Sequence, residues 1–165
     1  MNAPEDLMHG FPTPEAVLEQ EARLELPSCS IDDALWIGEW LLHRAVERSL
    51  PIAIEVWHGD RLVYRAARHG SDAHNDLYIA GKRRVVHHFR HSSLHERVRH
   101  LAAGTTFEAV TMLAFPEYAP HGGGVPLVVR GTGMVGVALV SGLPQLDDHA
   151  LIVEALEAFL AAHPG

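Results

Sequence analysis

The chain has 165 residues, 47% of them hydrophobic, with a formal charge of −8 and one cysteine. That is chain enough for a single globular domain with its own core. Net acidity with scattered Lys and Arg excludes nucleic acid as the main partner, and no apolar run approaches the ~20 residues that cross a bilayer.

Residues 1–13, with Pro4, Gly10 and Pro12, read as a flexible N-terminal arm before a single α/β domain over 14–162. Met1 to Asp6 has no basic segment and no apolar core, so no secretory signal is expected. Cys29 can form no internal disulfide, and a reducing, cytoplasmic setting is the simplest expectation. It lacks the neighbours that activate a thiol and reads as structural.

Pro14 to about Arg23 has helix-forming composition, with proline suited to the first turn. Leu24-Glu25-Leu26-Pro27 reads as a short edge strand stopped by proline. Ser30 and Asp33 have capping-box spacing and open a helix from about Ile31 to Ser49. One stripe of that helix, Leu35, Gly38, Leu42 and Ala45, suffices for packing on a sheet. Trp36, Ile37, Trp40 and Leu41 widen the apolar arc. A second subunit is the expected cover, which makes a homo-oligomer the expected state.

Pro51 to Trp57 alternates as a strand, Gly59-Asp60 matches a hairpin turn, and Leu62 to Ala67 returns. Ser71 or Asp72 caps a helix to about Arg90, with Leu77, Ile79, Val86 and Phe89 as apolar positions. Lys82-Arg83-Arg84 on that helix points in three directions, the pattern of solvated or interface contacts rather than a binding patch. A further helix runs from about Ser93 to Ala103 and ends at Gly104. Phe107 to Phe115 reads as a strand, and Pro116 to Pro126 as a long glycine-rich loop. Val125 to Val129 and Val135 to Val140 form a hairpin about Arg130-Gly131-Thr132-Gly133. Gly131, Gly133 and Gly136 spell G-x-G-x-x-G, but the run continues as a strand and opens no helix, so dinucleotide binding is excluded. Ile152, Ala155, Leu156, Phe159 and Leu160 then mark one face of a final helix, with Asp147 and Asp148 at its start. The expected fold class is α/β (α+β): an antiparallel five-stranded sheet with helices mainly on one face.

Asn75-Asp76 with Lys82, His91-Ser92-Ser93, His121-Gly122-Gly123, Ser141-Gly142-Leu143-Pro144-Gln145 and Asp148-His149 carry a further signal. In combination they resemble the haem-degrading-domain superfamily of HbpS-like and GlcG-like proteins, and within it an uncharacterised, UPF-type branch. The likeness spans about residues 14 to 160. It implies a two-layer sandwich of PAS-like or profilin-like shape and oligomeric assembly, with haem as a cofactor candidate by resemblance alone. At Leu77 the sequence departs from the tryptophan expected in that branch.

Three polar constellations stand out. The glycines after His121 let backbone approach a ligand and expose N–H groups, while the imidazole ligates iron or hydrogen-bonds; the competing reading is a turn into the next strand. His87, His91 and His95 fall at i, i+4, i+8, but His91-Ser92-Ser93 interrupts the helix and no H-E-x-x-H follows, so no physiological metal site is expected. Lys82 lies two turns after Asn75 and Asp76, placed to pair with a ligand carboxylate or with an acid of the chain. Ser92, Ser93 and Ser141 lack a G-x-S-x-G elbow, so a hydrolase triad is not expected. The candidate ligand-binding residues are therefore Lys82, His91, Ser92, His121, Gly122, Gly123, Asn75 and Asp76, with no catalytic residue assigned. Lys82, His91 and His121 are expected to meet around one hollow and hold a small molecule, haem or another anionic ligand. The rival reading is a non-enzymatic scaffold oligomer that uses the apolar face of the first long helix.

Overall fold

Side-chain caps open five of the six helices among residues 10–165, which the computed structural model describes; residues 1–9 of the expected arm lie outside them. Helix α1 (Pro14–Arg23) begins where Thr13 Oγ1 accepts from the Ala16 N–H. Helix α2 (Ile31–Glu47) carries the full capping box, Ser30 to the Asp33 N–H and Asp33 back to the Ser30 N–H. Strands β1 (Ala53–His58) and β2 (Arg61–Ala67) are joined by Gly59 at φ 57. Asp72 and Asn75 form a second capping box at α3 (Ala73–Phe89), and Ser92 caps α4 (Ser93–Ala102). A short helix α5 (Phe107–Thr111) precedes the hairpin β3 (Gly124–Val129) and β4 (Gly133–Ser141), which turns through Gly131 at φ 74. Helix α6 (Gln145–Ala162) closes the chain.

The sheet is antiparallel in the order β2-β1-β4-β3 and has four strands, not five. The missing strand is Phe107 to Phe115. Thr106 Oγ1 accepts from the Ala109 N–H and starts a helical turn instead, which Met112 ends at φ 64. No sheet edge was open to it beside β3, because Leu26 already sits there. Its N–H donates to Val128 O at 2.8 Å and its carbonyl accepts from the Arg130 N–H at 3.0 Å. The expected edge strand thus shrinks to one parallel bridge, cut short by Pro27, which has no N–H to donate.

Helices cover both faces of the sheet, which corrects the one-sided, two-layer arrangement. Ile54 and Val56 of β1, Ala138 and Val140 of β4, and Val125 and Leu127 of β3 pack against α2 and α6. The opposite side chains, Ala53, Val137 and Leu139, pack against Ile79 and Val86 of α3. The central strands are apolar on both sides, and such strands need cover twice. Burying each of the large aliphatic side chains contributes roughly 1.5–3 kcal/mol, which holds α3 to its face of the sheet through Ile79 and Val86.

The buried stripe of α2 is Ala34, Ile37, Leu41 and Ala45, with Leu35 left at the surface. Gly38 lies under the Tyr64 ring, where any side chain would collide. Trp36 meets Phe159 and His163 edge-on at 5.5 and 5.3 Å. The widened apolar arc is therefore covered in part from within, by the C-terminal end of α6, and does not require a second subunit to explain it.

Candidate functional site

Lys82 is 2% exposed, the largest fully buried side chain. Its position on the inner face of α3 sends the ammonium across to the end of β4, where Nζ donates to Val140 O at 2.9 Å and to Asp148 Oδ2 at 3.2 Å. Asp148 stands in the first turn of α6, whose N-cap Pro144 makes no side-chain cap. The Asp148 carboxylate supplies that closure: Oδ1 accepts from the Leu143 N–H at 3.0 Å. One ion pair thus joins α3, the last residues of β4 and the start of α6.

Burial sets the electrostatics. It pushes the Lys82 ammonium down from its ordinary value, against the pull of Asp148. It pushes the Asp148 carboxyl up to about 6, against Lys82 and the N–H groups of Leu143 and Gly142. Each partner is drawn toward neutrality because desolvation of both outweighs their attraction.

The pair opens onto a cavity of about 310 Å³. Asn75 and Tyr78 of α3 line it with Lys82; Ser141, Gly142 and Leu143 form the strand end, Gln145 and Asp148 the helix start, and His121 one wall. Asn75 Nδ2 reaches Ser141 Oγ at 3.4 Å. The His121 ring stands edge-on to Tyr78 at 5.4 Å, and its Nδ1 is buried without a protein partner. Burial, then the charges of Arg97 and Lys82, hold this imidazole down to about 4, so it is neutral at pH 7.

Lys82, His121 and Asn75 share the cavity, whereas His91 lies elsewhere, correcting the expected trio. Arg90, at φ 63, ends α3 and turns the chain. His91 Nδ1 then pairs with Glu21 Oε2 at 2.7 Å, and Glu21 Oε1 accepts from the Ser92 N–H at 2.7 Å. Ser92 is a buried helix cap, and Asp76 pairs with Arg65 at 3.0 Å, outside the cavity. The same reversal breaks the i, i+4, i+8 run: the His91 and His95 rings meet at 4.9 Å, tilted by 52°, across a helix boundary. Among the described residues no group of three or more His, Cys, Asp or Glu is arranged to hold a metal.

Gly122 and Gly123 are needed for space. A side chain at Gly122 would strike Gln145, and one at Gly123, at φ 120, would strike Val140 O and Lys82 Nζ. The Gly122 N–H donates to Gln145 Oε1 and the Gly124 N–H to Ser93 Oγ, so these donors are spent inside the protein. Sequence reasoning left Tyr78, Ser141, Gln145 and Asp148 unassigned. For Ser141, Gln145 and Asp148 the signal was present, since they belong to the quoted motifs; Tyr78 had none beyond its place one turn before Lys82. A buried cluster also went unread: Glu96 on α4, 1% exposed, lies against His95, His100 and Arg99.

Comparison with known proteins gives a consistent placement. Residues 29–157 match the model of the family described as haem degrading protein HbpS-like. A "UPF0303 protein" of Streptomyces avermitilis is 45% identical over 149 residues, covering 90% of this chain and 91% of that one. The crystal structure of the Ybr137w protein superposes with TM-score 0.84 at 27% identity, covering 96% of this chain and 93% of that one. That of a "PduOC:Heme Complex" shares the fold at TM-score 0.66 and 14% identity, covering 79% and 94%. The chain belongs to the HbpS-like family.

Proposed function

We propose that this member of the HbpS-like family binds a compact anionic small molecule in the cavity beside Lys82. The observation that carries the reading is a donor count. An ammonium has three N–H donors; Val140 and Asp148 take two, and no acceptor among the described residues takes the third. A carboxylate entering the cavity would accept that donor, within reach of the Asn75 amide and the Tyr78 and Ser141 hydroxyls. Asp148, held near 6, can store a proton at the same place.

Haem fits these residues poorly. The neutral His121 imidazole is a group of the axial-ligand kind, with a partnerless buried nitrogen. The walls, however, are a buried ion pair, two amides and two hydroxyls, with the Tyr78 ring, Gly142 and Leu143 the apolar surface left to face a macrocycle. At about 310 Å³ the cavity also stands at the floor of the roughly 300–1,000 Å³ usual for small-molecule sites. Haem in the PduOC complex is a property of that protein.

Self-assembly and a cytoplasmic setting go with this reading. Exposed Ile31 and Leu35 on α2 and the inert Cys29 thiol, pushed up to about 11 by burial and Asp33, support them. Light scattering across a protein dilution series tests the first.

Calorimetric titration with butyrate tests the site. Saturable binding that Lys82→Met and Asn75→Ala weaken is the expected result. A saturable haemin Soret shift that disappears in His121→Ala, with no butyrate binding, overturns the compact-anion reading in favour of haem.

A further inference from the structure

His121 lines two cavities. Beyond it from Lys82 lies a second hollow of about 270 Å³, walled by Arg97 of α4, Phe107 of α5, and Phe115 and Tyr118 of the loop that follows. The His121 ring belongs to both, and it forms one three-ring cluster with Tyr78 at 5.4 Å and Phe115 at 6.3 Å, those two being 5.3 Å apart. Phe115 is 45% exposed, so the cluster meets solvent at that corner.

Arg97 is the second hollow's cation. It is half-buried, no carboxylate of the described residues pairs with it, and its Nε is buried without a partner. Glu108 lines the same hollow, yet no ion pair joins the two. A buried guanidinium nitrogen left unpaired costs stability. Here it stands across one imidazole from an ammonium with an unused donor. Both cations lie near enough to His121 to depress its basicity, and its Nδ1 between them is also unpartnered. Two cations, one in each of the hollows that His121 lines, together with its unpartnered nitrogen, suit a molecule with an acid at each end.

We propose that Arg97 forms a second anionic subsite, and that the small molecule held here is a dianion straddling His121, a short dicarboxylate being the simplest case. The inference rests on the Lys82 reading and extends it. Lys82 receives one acid, Arg97 the other through a fork suited to carboxylate, and neutral His121 donates a ring N–H to a carboxylate oxygen.

Calorimetry at fixed ionic strength with butyrate, succinate and glutarate tests it. One charge-assisted hydrogen bond is worth about a ten-fold difference in Kd, so succinate or glutarate is expected to bind about ten-fold more tightly than butyrate. Arg97→Gln should abolish that preference, and Arg97→Lys, which keeps the charge without the fork, should reduce it. Equal affinity for mono- and dicarboxylates in the unmodified protein, or a preference that survives Arg97→Gln, overturns the second subsite and leaves the Lys82 site standing. Binding of none of the three overturns both.

Discussion

Lys82 and His91 are each a basic side chain held by a carboxylate from a distant element, yet they do different work. At His91 the carboxylate is spent: Glu21 takes the imidazole N–H with one oxygen and the Ser92 N–H with the other. That is a clamp fixing α1 to the junction of α3 and α4. At Lys82 two donors close and one does not, and a cavity begins where bonding stops. A basic residue in a polar motif becomes a site only where its hydrogen bonding is incomplete beside space. The pairing alone says little.

The comparison breaks most sharply at the buried pair. Lys82→Met leaves the buried Asp148 carboxyl without its partner, with an expected loss of about 3–5 kcal/mol in chemical denaturation. Lys82→Met with Asp148→Leu should recover much of it, because no isolated charge remains buried. Full stability in the single variant would mean the pair is not buried in solution.

Acid separates the regions next. His121 and His149, both held down to about 4 by burial, bind fewer protons when folded than when unfolded between about pH 4 and 6.5. Their contribution is present above the unfolded value and lost as pH falls through 4. Asp148, raised to about 6, acts oppositely, its contribution present at low pH and lost as pH rises through 6. Two histidines against one carboxyl leave a net of one proton, so stability should fall by about 3 kcal/mol from pH 7 to pH 4. Differential scanning calorimetry across that range checks the slope, and His149→Gln should flatten it.

Much of the fold was legible. The capping box at Ser30, a helix cap at Ser71 or Asp72, the two hairpins and the amphipathic last helix follow from local chemistry that nothing overrides. Phe107 to Phe115 misled because its β-forming composition is real, but Leu26 holds the edge where it would pair. Helix sidedness was hidden in β4, where Val137-Ala138-Leu139-Val140 shows no alternation and so announces two buried faces. In the site, spacing put Asn75 and Lys82 on one face of α3, as found. The partner Asp148 read as a helix-start acid, and only folding brings it to the lysine. His91 was misplaced by the single left-handed residue at Arg90.

Removing the clamp should cost less than removing the pair. Glu21→Ala frees one backbone N–H and one imidazole, about 2 kcal/mol by thermal melting, with butyrate affinity unchanged. An equal loss of affinity would mean the two regions are coupled. Least of all is expected from Asp76→Ala, which breaks a half-exposed contact with Arg65: under ~1 kcal/mol and no change in binding.

The single bridge at Leu26 has a consequence for how the molecule meets its own kind. It occupies the border of β3 where a foreign strand would otherwise dock, and Pro27 keeps the substitute strand from lengthening. The other border, β2, presents Arg61 and Arg65, charges that discourage strand-to-strand polymerisation. Opening the first border, by Leu26→Pro for example, should raise fibril formation, read by thioflavin fluorescence, above that of the unmodified protein.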